Sequence, residues 1–327
     1  MRVVIGAVVA AAIAGAAGQS AQSQAHVEAA RAAAGTEFAG VFNRVCTEAM
    51  RTAAPAQPRP ASTPRSAPPP RESWHADPVK VFDNLYFLGQ TEYSVWAITT
   101  PEGIILVDAI FDYSVDDEVV GGLKKLGLDP AAIKYVIVSH GHADHSGGAK
   151  YLQDRFNAHV ILSAADWDLL DRANGSKPRR DMVAADGQQL TLGGTTVTMY
   201  TTPGHTLGTL STIFPVTDHG VRHVVATWGG TAFNWMVNPA PYVTPERPER
   251  FWFESYSASA RRFKDIAAKA KADVLISNHT IFDGSKTKLP ALERRKPGDP
   301  HPFVIGVDGV QRYLTVVDEC AQAGLTR

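Results

Sequence analysis

The sequence of 327 residues predicts a mixed fold, α/β or α+β, in which two β-rich halves carry helices on their outer sides. Two observations support this prediction. Short apolar strands alternate with helical segments from about residue 74 onward, and the second half of the chain repeats the rhythm of the first. The composition, 44% hydrophobic and 20% charged residues, suffices for a sizeable core in one large or two small domains.

The N-terminus has the pattern of a secretory signal peptide, which we assign to residues 1–25. Residues 3–17 form an unbroken apolar run, and small residues suited to signal peptidase follow, so cleavage is expected near Gly18 or Ala25. An uncleaved anchor is the alternative, but a membrane span needs roughly 20 apolar residues and no second apolar stretch follows. We therefore expect a secreted, periplasmic protein without stable membrane insertion.

Two further segments precede the main domain. Residues 26–50 are Ala-rich with apolar residues at roughly helical spacing, which predicts one amphipathic helix that could pack on that domain. Residues 51–73 hold seven prolines among Ala, Ser and Arg, a composition that favours an extended, solvated linker. The main domain is then expected to cover residues 74–327.

The two cysteines of the chain are Cys46 and Cys320. In an oxidising compartment an even pair is a disulfide candidate. The alternative, that both are small buried apolar residues, stays open because the sequence does not establish the Cα separation that a bridge requires. Neither lies near the histidines described below, so neither is expected to bind metal or act as a nucleophile.

The first half of the main domain begins as a β-meander and continues as alternating helices and strands. Turn residues separate the first four predicted strands, at 79–82, 85–88, 94–99 and 103–107. A helix is predicted over 115–126, with Ser114 as a possible N-cap and Gly127 as its end. A buried strand over 135–139, a helix over 147–156, a strand over 159–163 and a helix over 165–173 follow.

The second half contains the same kinds of element. Strands are predicted at 189–192, 195–201, 211–214 and 223–227. A long helix over 248–272, a strand over 273–277 and a final helix over 306–323 complete the chain.

Four potential metal ligands directly follow the predicted strand 135–139: His140, His142, Asp144 and His145. Zinc binds imidazole nitrogen and carboxylate oxygen, and a catalytic zinc keeps one position for water. Residues 140 and 142 can point at one ion, whereas 144 and 145 turn towards a second because the loop bends into a helix. One of these histidines alone would be interpreted as a surface or core residue, but three His and one Asp within six residues indicate a metal centre.

The pattern His-X-His-X-Asp-His after a strand resembles the signature of the metallo-β-lactamase superfamily, and the likeness runs from about residue 74 to the C-terminus. Residues 202–208, Thr-Pro-Gly-His-Thr-Leu-Gly, are similar to the family's Pro-Gly-His-Thr-X-Gly loop. Residues 274–279 form a strand that ends in a histidine, like the family's last ligand. This resemblance implies a four-layer αβ/βα sandwich, which periodicity alone does not specify.

The resemblance also implies a ligand set for two zinc ions with a hydroxide between them. His140, His142 and His205 would hold the first ion, and Asp144, His145 and His279 the second. Two ions sharing one oxygen lower its pKa to near neutrality, and they polarise the substrate carbonyl, so no Ser or Cys nucleophile is needed. Asp144 has a second expected role, the orientation of the hydroxide.

The resemblance narrows further at residues 224–234. Glyoxalase-type thioesterases and acyl-homoserine lactonases of the superfamily carry an Asp that bridges both metals, and this stretch contains no carboxylate. One lactamase subclass places Cys near Gly230 and another uses Asn for the first His; this chain has neither. It is most similar to the third subclass of class B β-lactamases. The implied activity is hydrolysis of the β-lactam amide bond, with lactones, esters or phosphodiesters as alternative substrates.

Other residues are weaker candidates. Asp108 resembles the family's aspartate that braces the metal loop, and a plain strand-end turn residue is the alternative. Substrate-groove candidates are Trp228, Phe233 and Asn234, although aromatic residues in such a loop could equally be packing residues. Ser277 and Asn278, next to His279, are further candidates that could reach a carboxylate of the substrate.

The charge balance limits the classes of partner. Lys and Arg (32) nearly equal Asp and Glu (33), and no long basic block occurs, so a nucleic-acid surface is not expected. A small-molecule substrate is expected, and the oligomeric state stays open. A metal-binding or partner-binding protein that kept the fold, with the N-terminal helix and linker as its contact, is the non-enzymatic alternative.

Overall fold

The computed structural model describes residues 20–51 and 67–327. Residues 1–19 of the predicted signal peptide and residues 52–66 of the predicted Pro-rich linker lie outside these residues, whereas residues 21–25 belong to the first helix of the structure. No helix among the described residues has both the length and the apolar character needed to cross a membrane.

Seven strands form the first sheet in their chain order. They are β1 (Val79–Phe82), β2 (Leu85–Gly89), β3 (Ser94–Thr100), β4 (Gly103–Val107), β5 (Ile133–Ile137), β6 (His159–Ser163) and β7 (Met182–Ala184). The first four pair antiparallel, as the meander predicts, and β4 to β7 pair parallel. The carboxyl ends of β4 and β5 therefore lie side by side, at one edge of the sheet.

The helices of this half pack on the outer face of the first sheet. They are α3 (Gly121–Lys125), α4 (Ala143–Ser146), α5 (Ala149–Phe156) and α6 (Ala164–Arg172). The helix predicted over 115–126 is π-helical at Asp116–Val120 and α-helical only in α3. The helix predicted from residue 147 begins later because Gly148 packs against the chain at Ala109; a Cβ there would lie 2.3 Å from the Ala109 carbonyl oxygen.

The second sheet has five strands in the order β12-β11-β10-β9-β8. They are β8 (Gln188–Leu192), β9 (Thr195–Thr201), β10 (Leu210–Asp218), β11 (Val221–Trp228) and β12 (Val274–Ser277), with only the β11–β12 pair parallel. Its helices are α7 (Asn234–Val237), α8 (Glu249–Lys269), α9 (Ser285–Glu293) and α10 (Gly306–Thr326). The sequence reasoning missed β7, α7 and α9, which are short or, in α9, interrupted by Pro290.

Three hydrophobic clusters separate the layers. One joins the first sheet to its helices, a second fills the space between the sheets, and a third joins the second sheet to the other helices. Alternation along β5 shows the principle: Val136 belongs to the outer cluster and Ile137 to the cluster between the sheets. The four-layer αβ/βα sandwich is confirmed.

The N-terminal segment is built into the outer helical layer of the second sheet. The single helix predicted over 26–50 is wrong; the chain forms α1 (Ala21–Ala34) and α2 (Ala39–Ala49), because Gly35 takes a positive φ of 52° that ends the first helix. Phe38, between the helices, packs edge-to-face on Tyr313 of α10 with ring centroids 5.5 Å apart. A disulfide joins Cys46 to Cys320, whose Cα atoms lie 4.6 Å apart.

Candidate metal centre

The two sheets bring six metal-ligating side chains together at one edge of the sandwich. His140, His142, Asp144 and His145 occupy the turn between β5 and α5 and the short helix α4 within it. His205 comes from the loop between β9 and β10, and His279 follows β12. Residues from three separate stretches of sequence thus meet in two groups of three.

The first group consists of His140, His142 and His205. His205 Nε2 lies 3.1 Å from His140 Nε2 and 3.1 Å from His142 Nδ1. The second group consists of Asp144, His145 and His279. Here His145 Nε2 lies 3.2 Å from His279 Nε2 and 3.3 Å from Asp144 Oδ2, and the distance from His279 Nε2 to Asp144 Oδ2 is 3.7 Å.

These separations, from 3.1 to 3.7 Å, lie close to those of a tetrahedral metal ion in each group. Zinc binds nitrogen and carboxylate oxygen at about 2.0–2.2 Å, so neighbouring ligand atoms of a tetrahedral site lie roughly 3.3–3.6 Å apart. Three donors in each group leave a fourth position for water or substrate, as in catalytic zinc sites. The donor chemistry and the spacing both suit zinc.

Outer hydrogen bonds orient the imidazole rings of the first group. His140 Nδ1 donates to the Gly229 carbonyl oxygen at 2.9 Å, and His205 Nδ1 donates to the Ala232 carbonyl oxygen at 2.6 Å. Both Nε2 atoms are then free of protons and can act as ligands. His142 has the opposite orientation: its Nδ1 faces the group and its Nε2 contacts the Tyr242 hydroxyl at 2.7 Å.

Electrostatics distinguish the two groups. Burial lowers the pKa of His140 and His205 well below the usual value, and it lowers the pKa of His142 to about 4. The first group is therefore neutral at pH 7, in the form that binds metal.

In the second group a carboxylate is paired with a buried imidazole. Burial opposes ionisation of both side chains, yet Asp144 and Asp108 raise the pKa of His145 to about 10. Reciprocally, the charges of His145 and His279 overcome burial and hold the pKa of Asp144 far below its usual range. The Asp144 carboxylate is therefore negatively charged across the physiological range, as a metal ligand must be.

Asp108 lies behind His145, at the end of β4. Its Oδ2 accepts a hydrogen bond from His145 Nδ1 at 2.9 Å, and its Oδ1 accepts one from the Ser139 backbone N–H at 2.6 Å. A carboxylate in this place directs His145 Nε2 towards the other members of its group. The structure thus puts Asp108 where the family resemblance expects a bracing aspartate.

Asp166 ties the two metal-binding loops together, and the sequence reasoning did not identify it. Its carboxylate accepts hydrogen bonds from the Gly141 N–H at 2.9 Å, the Gly208 N–H at 3.0 Å and the Thr206 hydroxyl at 2.8 Å. Gly141 stands between two ligands of the first group, and the other two donors follow His205. Asp166 therefore sets the distance between the loops that carry the three histidines.

We expect Asp166→Asn to weaken zinc binding by the first group about 10- to 100-fold, because an amide nitrogen would face N–H donors and open the gap between the loops. Competition with a chromophoric chelator measures this change. Asp168→Asn, an exposed carboxylate two residues away that pairs with Arg180, is the matched control. Equal zinc affinity in both variants would show that Asp166 does not position the loops.

The two groups face a cavity of about 380 Å³. Its lining includes His142, Asp144, His205 and His279, together with Arg44, Glu92, Tyr93, Ala232, Asn234, Ile281 and Phe282. A larger cavity of about 590 Å³ lies beside β1 and the segment after α9 and contains none of the six ligand candidates. The smaller cavity is therefore the candidate substrate site, because four of the six ligand candidates line it.

The structure corrects four of the expected groove residues. Trp228 and Phe233 are fully buried and pack against Tyr256 in the core. Ser277 and Asn278 are also buried, and Asn278 Nδ2 donates to the Gly229 carbonyl oxygen at 2.8 Å, so this amide supports the metal loop from behind. Of the five groove candidates, Asn234 lines the cavity.

Two residues that line the cavity, Tyr93 and Arg44, were not found from the sequence, and neither was Tyr242, which contacts His142. Tyr93 follows β2, Tyr242 belongs to the irregular segment after α7, and Arg44 lies on α2. None stands in a motif, and each reaches the site through packing between segments remote in sequence. An arginine four residues before a glutamate, as in Arg44 and Glu48, is typical of an ordinary helix-surface ion pair.

Comparisons with known proteins agree with this geometry. Residues 88–219 match the family model described as the metallo-beta-lactamase superfamily. The structure is similar to a subclass B3 metallo-beta-lactamase of Bradyrhizobium japonicum, with a TM-score of 0.62 and 26% identity over 75% of this chain and 91% of that one. It also shares its fold with the native metallo-beta-lactamase from Legionella gormanii, with a TM-score of 0.61 and 23% identity over 73% of this chain and 91% of that one.

A curated relative with another activity is similar in sequence over a shorter stretch. A hydroxyacylglutathione hydrolase of Acidiphilium cryptum is 40% identical over 82 residues, which are 25% of this chain. The chain spans about a third (31%) of that relative's length. The fold comparison therefore extends over much more of this chain than the sequence comparison.

Proposed function

We propose that this chain, whose residues 88–219 match the metallo-beta-lactamase superfamily, is a dizinc hydrolase of β-lactam amide bonds. The observation that carries the proposal is the pair of three-donor groups on one cavity with no carboxylate between them. Among the described lining residues, the acidic side chains are Asp144, already in a ligand group, and Glu92, which pairs with Lys286.

The glycines at residues 229 and 230 support this distinction. A Cβ at Gly230 would lie 2.5 Å from His205 Cβ, and the Gly229 carbonyl oxygen accepts from both His140 and Asn278. A longer side chain at either position has no room beside the first group. The absence of a carboxylate is therefore part of how this site is packed.

The residues of the chain have separable tasks in the proposed reaction. When bound, two zinc ions would supply Lewis acidity, activating a water and polarising the scissile carbonyl. The five histidines, together with Asp144, would hold the ions. Asp144 also lines the cavity, where its carboxylate would accept a hydrogen bond from the attacking water and orient it.

A second candidate substrate class is favoured by the relative from Acidiphilium cryptum. Its name describes hydrolysis of a hydroxyacylglutathione, and it shares 40% identity with this chain over 82 residues. Lactones, esters and phosphodiesters are further substrates that the same six ligands could serve. The geometry favours the lactam because no carboxylate bridges the two groups.

A substrate panel decides between these activities. We expect the zinc-loaded protein to hydrolyse nitrocefin and a carbapenem faster than a hydroxyacylglutathione, a lactone or a phosphodiester. A chelator should abolish turnover, and added zinc should restore it, with two zinc ions per chain by elemental analysis. Turnover of the other substrates without any lactam hydrolysis would replace the proposed substrate, and a metal-loaded protein inert towards the whole panel would contradict the hydrolase itself.

We also propose that the protein acts in the periplasm. Residues 1–25 have the composition of a signal peptide, and the disulfide between Cys46 and Cys320 suits an oxidising compartment. Fractionation of cells that express the full chain tests this proposal, with recovery in the cytoplasm as the contradicting result.

A further inference from the structure

An arginine from the N-terminal helical segment reaches the candidate metal centre. Arg44 lies on α2 and lines the same cavity as His142, Asp144 and His279. Among the described residues that line this cavity, it is the sole lysine or arginine. The proposed hydrolytic mechanism involves the six ligand residues and assigns no role to Arg44.

Glu48 holds the arginine from one side. Arg44 Nε lies 2.5 Å from Glu48 Oε1, and Glu48 Oε2 accepts a hydrogen bond from the Phe233 backbone N–H at 2.8 Å. The Glu48 side chain is buried, whereas that of Arg44 is 54% exposed. Within residues 20–51 and 67–327, Glu48 is the one ion-pair partner of Arg44, and it is contacted through Nε, so the terminal nitrogens of the guanidinium are left for another partner.

The helix that carries Arg44 is fixed against the metal-binding loop. Gly40 packs so closely on the segment after His279 that a Cβ would lie 2.4 Å from the Ile281 carbonyl oxygen. At the other end of α2, the disulfide joins Cys46 to α10. Arg44 stands between these two contacts, and its position relative to the cavity is therefore set by the protein core.

Arg44 lies close to the second ligand group, because it lines the same cavity as Asp144 and His279. Arg44 adds a cation at the wall of the cavity, and a guanidinium binds a carboxylate through two parallel N–H donors. A substrate whose reacting group lies at the two ligand groups can therefore place a carboxylate beside the Arg44 guanidinium.

We infer that Arg44 is a specificity-determining residue that binds an anionic group of the substrate, a carboxylate, while the reacting bond lies at the two ligand groups. The N-terminal segment then forms part of the substrate site, although it lies outside residues 88–219 that match the family. This inference deepens the proposed function, since β-lactams carry a carboxylate next to the reacting ring. It requires only that the true substrate be anionic.

The kinetic test compares an acid with its neutral ester. We expect R44Q to raise the KM of the zinc-loaded enzyme for benzylpenicillin about tenfold with kcat within twofold, because a half-exposed ion pair contributes mainly uniform binding. The KM of R44K should lie between those of the wild type and R44Q, since lysine keeps the positive charge but lacks the two parallel N–H donors of the guanidinium. For the methyl ester of benzylpenicillin, R44Q should leave KM unchanged.

Two further variants separate binding from folding. R250Q changes an exposed arginine on α8 that also pairs with a glutamate four residues later, and we expect wild-type kinetics. G40A retains Arg44 but displaces α2 from the Ile281 carbonyl oxygen, and it should raise the same KM. Equal effects of R44Q on the acid and the ester would overturn the inference.

A binding test does not depend on lactam turnover. Calorimetry would compare the diacids succinate, glutarate and adipate with their monoamides, which keep one carboxylate for the metal ions. At the length that spans the cavity, the wild type should bind the diacid about tenfold more tightly, and R44Q should lose this preference. No preference at any length would overturn the role of Arg44, whereas failure to hydrolyse lactams would overturn the proposed substrate alone.

Discussion

Replacement of Asp144 by asparagine is expected to reduce kcat/KM on the order of 10³-fold, the largest effect of any conservative change at the site. Asp144 Oδ2 lies 3.3 Å from His145 Nε2 and 3.7 Å from His279 Nε2, in ligand geometry. An amide has nearly the same shape but no charge, so it binds zinc weakly and no longer balances the ion's charge. It also orients an attacking water less well than a carboxylate.

Kinetics and metal analysis together separate these two roles. We expect the Asp144→Asn protein to retain the first zinc and to lose most of the second at micromolar zinc. If saturating zinc restores two ions per chain while kcat stays low, the carboxylate has a role beyond holding the metal. Asp154→Asn, on the exposed face of α5 and paired with Lys150, is the matched control. Near-wild-type turnover in the Asp144 variant would contradict both roles.

Removal of the disulfide is expected to have the largest effect on stability. The bond closes a loop with a sequence separation of 274 residues, and both cysteines are buried. Loss of such a long cross-link costs about 2–5 kcal/mol in the free energy of unfolding, mainly because the unfolded chain gains freedom. C46A/C320A leaves two small apolar side chains in the core and no unpaired thiol.

Urea unfolding of the zinc-loaded proteins measures this difference. We expect a lower midpoint for C46A/C320A with a similar slope, and a comparable shift when the wild type is unfolded with reductant present. The double variant should also show a higher KM for benzylpenicillin, since α2 carries Arg44. An unchanged midpoint would mean that the packing of Phe38, Val41 and Val45 alone holds the N-terminal helices.

Most of the ligand set was accessible from the sequence because it is local. Four of the six candidates lie within six residues of one loop, and His205 and His279 stand in short motifs after strands. The predicted meander and the long helix over 248–272 have strong periodicity, and the structure contains both, with α8 at Glu249–Lys269. The helix boundaries at Gly35 and Gly148 were less predictable. Hydrophobic periodicity does not indicate the positive φ of Gly35 or the close packing of Gly148 on Ala109.

The substrate side of the cavity was not accessible in this way. Trp228 and Phe233 are aromatic residues near the metal loop, and burial against Tyr256 turned them into core residues. A residue's solvent exposure depends on which distant elements pack over it, and the neighbouring sequence does not specify those tertiary contacts.

The sequence by itself determined the donor chemistry of the candidate centre, since six potential metal ligands and a stretch at residues 224–234 without a carboxylate are matters of residue type and spacing. Only the tertiary structure decided what surrounds that centre. Asp166 joins two loops, and Arg44 enters through a helix that the fold places against the segment after His279. Both depend on contacts between segments far apart in the chain, which form only when the layers pack.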